Sequence, residues 1–175
     1  MSVVPEMLTS ILDALSSNAK LQPLKQAWVF LNDKGEPNDS YTYKELDDVS
    51  TFMADAMLKS PHISPGDRVL LVFTPGLDFM VSLLACFKAN VIAVPVFPPD
   101  PQKLKKDLHH FVSIQTSSGA TTVLTNSLYN FVKKVEDVKR VFTMDKKTWP
   151  DMKWYTLYTL YTLSPLYTLY TLYII

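Results

Sequence analysis

The chain has a single cysteine, Cys86, which excludes an internal disulfide. This cysteine lies in the apolar run FMVSLLACF, a setting typical of an inert buried thiol in a reducing compartment. The N-terminus MSVVPEMLTS lacks the basic start and apolar core of a signal peptide. Both features predict a cytoplasmic location.

Glycine is also scarce, with only four residues in the chain. They stand at isolated positions: Gly35, Gly66, Gly76 and Gly119. None has the internal spacing of a G-x-G-x-x-G or Walker loop, so no glycine-rich phosphate cradle is expected. Metal-ligand spacing is missing as well, because the adjacent His109 and His110 would point about 100° apart on a helix. We therefore predict that this chain by itself binds no metal and no nucleotide cofactor.

The chain lacks a surplus of either charge, since 17 basic and 17 acidic side chains give a formal net charge of zero. Proteins that bind nucleic acids or anionic membranes carry a clear excess of basic side chains. The composition therefore argues against both as partners. Its 47% apolar content is that of a globular domain.

The first part of the chain reads as a helix, a hairpin and a second helix. Apolar spacing in PEMLTSILDAL predicts a helix that begins near Pro5. Two short strands are expected around an Asp33-Lys34-Gly35 turn. A capping box at Thr42 and Glu45 precedes an apolar helical face and predicts a helix over 43–59.

Strands and helices then alternate from about residue 68. The continuous apolar runs at Val69–Phe73 and Val91–Val94 predict core strands, the second one ended by proline, with a buried helix over Leu77–Ala89 between them. Asn90 suits the left-handed stop of that helix. Further expected elements are a helix at 101–117, a strand at ATTVLT, a helix at SLYNFVKKV and a strand at VKRVFTM. This alternation predicts an α/β fold, a doubly wound parallel sheet with flanking helices.

The tail, residues 155–175, has no charged residue and repeats Tyr-Thr-Leu. A period of three matches neither the helical nor the strand period over a long stretch, and the threonines and tyrosines make a poor membrane span. We interpret this segment as a translated tandem DNA repeat that packs against nothing. The predicted organisation is a helical segment at 1–24, the domain at 25–154 and the repeat at 155–175.

The block ISPGDRVLLVFTPGLDFMVSLLACFKANVIAVPVFPPDP, residues 63–101, resembles the fatty-acyl-AMP ligases of the adenylate-forming, AMP-dependent synthetase superfamily. SYTYKELD, SSGATTVLTN and MKW stand in the same order as in those ligases, so the resemblance covers about residues 25–154. Asn90 departs from it, because these proteins usually have glycine there.

A larger departure is a missing motif. In this superfamily a loop resembling T-S-G-S-T-G-x-P-K-G holds the ATP phosphates, and this sequence contains neither that loop nor the later motifs for adenine, ribose and the catalytic lysine. TSSGATT, residues 116–122, is a poor substitute, because it lacks the Pro-Lys-Gly and runs straight into a strand. It is better interpreted as a helix-to-strand connection with Gly119 as the helix stop.

The resemblance implies the N-terminal subdomain of an adenylate-forming enzyme, incomplete in this chain. A full enzyme of this kind would use ATP and Mg²⁺ to activate a fatty acid as an acyl-adenylate and pass the acyl group to a carrier thiol, on acyl carrier protein or CoA. No catalytic residue is assigned in this chain. A non-catalytic lipid- or partner-binding domain of the same fold is the alternative, and an unrelated flavodoxin-like domain is a third reading.

Ligands of open α/β sheets bind beyond the carboxyl ends of the strands. Two predicted strand ends therefore form a possible crevice wall, for an acyl chain or a nucleotide. The residues are Thr74, Pro75, Gly76, Pro95, Phe97, Pro98 and Pro99. A simple strand terminator explains the proline-rich exit equally well.

Overall fold

The computed structural model describes residues 10–100, 104–143 and 149–163. Helices and strands alternate along these ranges. In chain order they are α1 Ile11–Leu21, β1 Gln26–Leu31, β2 Pro37–Thr42, α2 Tyr43–Lys59, β3 Arg68–Val72, α3 Leu77–Lys88, β4 Ile92–Val96, α4 Leu104–Ser118, β5 Thr122–Thr125, α5 Ser127–Thr143, β6 Lys153–Thr156 and α6 Leu157–Leu163.

Four of the strands form one parallel sheet in the order β4-β3-β5-β6, while β1 and β2 pair as a separate antiparallel hairpin. The sheet is covered on both faces. Val69 and Leu71 of β3 pack with α1, α2, α3 and α6, whereas Leu70 and Val72 face the opposite side with residues of α4 and α5. The two-residue alternation of a strand places these neighbours on opposite faces. The predicted α/β class is confirmed.

Helix α2 has the bounds and the cap that the sequence predicts. Glu45 N donates to Thr42 Oγ1 at 3.2 Å, and Thr42 N donates to a Glu45 carboxylate oxygen at 2.8 Å. Helix α3 is also confirmed as a buried element, because Leu84 is buried while Phe79 and Leu83 pack against the same core. Its stop at Asn90 has φ 55°, in the left-handed region.

The first helix begins later than predicted. Ser10 has extended backbone angles, φ −144° and ψ 165°, and its hydroxyl accepts a hydrogen bond from Asp13 N at 3.1 Å. A helix from Pro5 through Ser10 is therefore wrong, because this serine caps α1 at Ile11 instead. Pro5 itself lies outside the described residues.

One strand prediction is confirmed and another fails. The strand predicted at VIAVPV runs, as β4, through Pro95, which pairs with Leu71, to Val96. Proline is tolerated there because β4 is the edge strand of the described sheet. The strand predicted at VKRVFTM is helical up to Thr143, since no glycine or proline interrupts the apolar three- and four-residue spacing that starts at Leu128.

The first part of the repeat is folded, so the expectation that 155–175 packs against nothing is wrong for residues 155–163. Tyr155 and Thr156 complete β6, which pairs with β5, and α6 follows. Leu157 and Leu160 of this short helix are buried in the core beside α2. Residues 164–175 lie outside the described residues.

A three-residue period works here because the helix is short. Each Tyr-Thr-Leu unit turns back by about 60° on a helix, so two successive leucines share one face even though a long run would spiral. The repeat also supplies its own cap: Thr159 N donates to Thr156 Oγ1 at 3.1 Å, and Thr156 N donates to Thr159 Oγ1 at 2.8 Å.

Candidate functional site

The neighbouring strands β3 and β5 send their following helices to opposite faces of the sheet. α3 follows β3 and packs on one face, whereas α5 follows β5 and places Tyr129 in the core of the other face. The chain therefore diverges between the carboxyl ends of these two strands. Such a switch point is where open α/β sheets form their ligand crevice.

A cleft of about 180 Å³ lies at this switch point. Two of its walls are the segment after β3 and the residue after β5, and the hairpin β1–β2 supplies the third. The lining residues are Phe30, Asn38, Asp39, Thr74, Pro75, Gly76, Leu77, Asp78 and Asn126.

Local structure positions each wall. Asn126 caps α5, because its side-chain oxygen accepts a hydrogen bond from Tyr129 N at 2.8 Å. Gly76 is the N-cap of α3 and has φ 164°, an extended backbone open to any residue. A Cβ at position 76 would meet only the Thr74 carbonyl oxygen, at the ordinary van der Waals distance of 3.9 Å. Position 76 therefore accepts a Cβ without a clash.

The electrostatics of the cleft are acidic. Burial raises the pKa of Asp78, and the nearby Asp39 raises it further. Tyr41, on the same hairpin as Asp39, has its pKa raised by burial first and then by Asp39, Asp78 and Glu45. The cleft therefore concentrates negative charge, which disfavours anionic ligands.

The cleft residues do not fit the triphosphate of ATP. None of the nine lining residues is basic, and Gly76 is the one glycine among them. Two carboxylates would repel phosphate groups and a fatty-acid carboxylate alike. We therefore derive no phosphate-binding step from these residues. Among the described residues, moreover, no group of three or more His, Cys, Asp or Glu side chains is placed to hold a metal ion.

The predicted crevice-wall residues divide into two sets. Thr74, Pro75 and Gly76 line the cleft. The second set, Pro95, Phe97, Pro98 and Pro99, lies outside its lining: Pro95 is within β4, Phe97 is 85% exposed, and the last two prolines are buried. Their assignment to a ligand-binding wall stays a prediction.

The proline-rich segment after β4, residues 97–100, is hydrogen-bonded to α5 and α4. The Tyr129 hydroxyl donates a buried hydrogen bond of 2.6 Å to the Pro99 carbonyl oxygen. Asp100 N donates to the Asp107 carboxylate of α4 at 3.1 Å. These hydrogen bonds hold the segment after β4 against α4 and α5.

Sequence reasoning missed several cleft residues. Asn126 follows β5 directly, just as Thr74 follows β3 closely, so the strand-end rule applied to β5 would have found it. Asn38 and Asp39 gave no such signal, because the hairpin reaches the cleft only through tertiary packing.

The fold and the position of the cleft define a doubly wound α/β domain with a switch-point crevice. Comparison with known proteins identifies the family, because a family model described as AMP-binding enzyme matches residues 15–161. The chain belongs to this family of AMP-binding enzymes. The match includes the first units of the Tyr-Thr-Leu repeat.

Two curated relatives show how the chain relates to longer proteins. It is 33% identical over 131 residues to the medium-chain-fatty-acid–[acyl-carrier-protein] ligase JamA of Moorena producens, covering 74% of this chain and 22% of that protein. It is 30% identical over 146 residues to Disco-interacting protein 2 of Drosophila melanogaster, covering 83% of this chain and 8% of that protein. The chain thus spans less than a quarter of either relative.

A solved structure supports the same family. The fatty acyl-adenylate ligase of Legionella pneumophila, in complex with acyl adenylate and pyrophosphate, is 28% identical, with a TM-score of 0.65. The similarity covers 88% of this chain and 24% of that one.

No helix in the described part of the chain combines the length and the apolarity that crossing a bilayer requires.

Proposed function

We propose that this chain forms part of the adenylate-forming domain of a fatty-acyl-AMP ligase. The complete domain would join a fatty acid to ATP, with Mg²⁺, releasing pyrophosphate and leaving an acyl-adenylate whose acyl group passes to a carrier thiol, on acyl carrier protein or CoA. The observation that carries the proposal is the 33% identity to a medium-chain fatty-acid ligase over 131 residues. The single cysteine, which allows no internal disulfide, suits a cytoplasmic setting.

In this proposal the described residues supply framework rather than chemistry. The sheet and α3 hold a switch-point cleft whose acidic lining repels phosphate, so the cations that neutralise ATP come from elsewhere in a complete domain. The chain alone is therefore expected to give no acyl-adenylate.

The proposal is tested with two proteins. The purified 175-residue chain should release no pyrophosphate above background with ATP and a medium-chain fatty acid, and mass spectrometry should find no acyl-AMP. A JamA ligase in which this chain replaces its aligned segment should form acyl-AMP. A matched chimera carrying Gly76→Trp, which adds a bulky side chain at a residue of the cleft lining, checks whether the cleft affects acyl-AMP formation. A folded chimera without this substitution that cannot adenylate would contradict the proposal, as would turnover by the chain alone.

A non-catalytic binding role is the second candidate. The relative named Disco-interacting protein 2 covers more of this chain than the ligase does, at 83% against 74%, and its name describes an interaction. This role predicts that the chain binds a partner or a lipid without ATP. Sequencing the transcript and genomic DNA past codon 163 separates the two candidates, because a phosphate-loop sequence there, in any frame, favours the ligase.

A further inference from the structure

Strand β1 has an unpaired edge in the described part of the chain, where it pairs only with β2. Asn32, next to β1, donates its N–H to the Glu36 carbonyl oxygen at 2.9 Å. Peptide groups alternate in direction along a strand, so the N–H groups of Leu31 and Val29 point away from β2. A two-stranded sheet is marginal by itself, and an unpaired edge is a template for another strand. The backbone of β1 is therefore arranged to receive one.

The same strand exposes large apolar side chains on both of its faces. Trp28 is 39% exposed, Val29 40% and Leu31 50%. Trp28 lies on one face of β1, whereas Val29 and Leu31 lie on the other, because side chains alternate along a strand. A helix packed on the hairpin would cover one of these faces. A strand added at the edge places side chains beside both.

The sequence of β1 is complementary to itself when two copies run antiparallel. A two-fold axis at Val29 places the residue before it in one copy opposite the residue after it in the other. Trp28 then lies opposite Phe30, which makes an aromatic pair on each side of the axis. Val29 lies opposite its own copy, and the two outward N–H groups each find a carbonyl oxygen. This register leaves no apolar residue opposite a charged one within these three positions.

Opposite charges flank the strand at its two ends. Lys25 precedes β1 and Asp33 follows it; both are exposed, and neither has an ion-pair partner among the described residues. The two-fold register brings Lys25 of each copy toward Asp33 of the other, which gives one ion pair at either end. A lysine side chain is long enough to span the register shift near the start of β1. Charge complementarity therefore favours a second copy of this chain as the occupant of the edge.

We propose that two copies of this chain associate through their β1 strands and form one antiparallel sheet in the order β2-β1-β1′-β2′. The pairing sets Trp28 of the second copy beside Phe30, which lines the cleft. Each copy thus adds an aromatic ring near the cleft of the other. The proposal rests on β1 and its flanks, so it is independent of the adenylation activity.

Sedimentation equilibrium of the full 175-residue chain, over a wide range of concentrations, is expected to show a monomer–dimer equilibrium. Val29→Lys places two ammonium groups on the axis and should raise the dissociation constant by roughly ten-fold or more. Val112→Lys is the matched control, because Val112 is 37% exposed but lies on α4. It should leave the dissociation constant unchanged.

A charge swap tests the register itself. Lys25→Glu and Asp33→Lys should each raise the dissociation constant roughly five-fold, because each sets like charges opposite one another at both ends of the paired strands. The double variant restores opposite charges and should recover most of the parent affinity. A general loss of stability would not be rescued in this way. Thermal melts verify that each variant folds, as expected for exposed positions.

Three results would overturn the proposal. A chain that stays monomeric at every concentration would leave the β1 edge to a strand from the rest of a complete ligase. A dimer that Val29→Lys leaves intact would use another surface. A double variant that dissociates as readily as the single variants would exclude the antiparallel register at Val29.

Discussion

The hydroxyl of Ser60 donates a hydrogen bond of 2.9 Å to the hydroxyl of Tyr155. Ser60 is the C-cap of α2, and Tyr155 is the first residue of the Tyr-Thr-Leu repeat. The contact spans 95 positions of the chain and joins the repeat to the core helix. The first residues of this low-complexity segment therefore belong to the packed fold.

Leu160→Ala tests the packing of the repeat. Leu160 is fully buried, so its truncation should lower the free energy of unfolding by about 2–5 kcal/mol. Leu24→Ala, at an exposed position, should change it by less than about 0.5 kcal/mol. Urea denaturation measures both. Deleting 155–175 should likewise lower the melting temperature, and an unchanged melting temperature would show that residues 155–163 contribute nothing.

Lys133→Met tests the charge held between two tryptophans. Lys133 Nζ lies 4.7 Å from the Trp154 ring centre and 5.3 Å from that of Trp149. Removing the charge while keeping an apolar stem should cost roughly 1–2 kcal/mol and alter the tryptophan emission. Lys134→Met, at the adjacent exposed position, should do neither. Equal effects from the two substitutions would contradict a specific contact.

Asn90→Gly and Asn90→Ala should change stability in opposite directions. Asn90 has φ 55°, where glycine carries no Cβ penalty and alanine has no side-chain amide to compensate. We expect the glycine variant to gain up to about 1 kcal/mol and the alanine variant to lose about 1 kcal/mol in denaturant titrations. Stabilisation by alanine would show that the residue does not need this backbone conformation.

Asp39→Asn should lower the pKa of Asp78, because a neighbouring negative charge is removed. The raised pKa means that the folded protein holds this proton more tightly than the unfolded chain. The Asp78 contribution therefore favours folding at low pH and is lost as pH rises from the ordinary value of 3.8 through the raised one.

Asp39→Asn should shrink this pH-dependent loss. Carboxyl chemical shifts followed by NMR, together with melting temperatures across the same pH range, measure both effects. Asp55→Asn, at an exposed position on α2, is the control. An unchanged Asp78 titration in Asp39→Asn would refute the charge coupling.

Features that depend on neighbours in sequence were predictable. The capping box of Thr42 and Glu45, the left-handed stop at Asn90 and the stop at Gly119, with φ 69°, each need only a few adjacent residues. The β3 core strand likewise follows from an unbroken apolar run. Local hydrogen bonding and burial on both faces leave such segments few alternatives.

Features that depend on distant partners were not predictable. Pro95 sits inside β4 because that strand lies at an edge of the described sheet. The hairpin contributes Asn38 and Asp39 to a cleft built mainly from residues after β3. The residues adjacent in sequence predict neither the edge position of β4 nor the approach of the hairpin to the cleft.

The amino-acid sequence by itself determined the α/β class, the capping box of α2, the stops at Asn90 and Gly119, and the absence of a glycine-rich phosphate loop, because short-range sterics and hydrogen bonding encode them. Tertiary structure alone decided where the crevice opens and whether the repeat folds. The crevice needs β3 beside β5, and α6 needs the apolar side of α2 to bury Leu157 and Leu160. A two-leucine helix has too little apolar surface to form alone, so its stability comes from the surface that receives it.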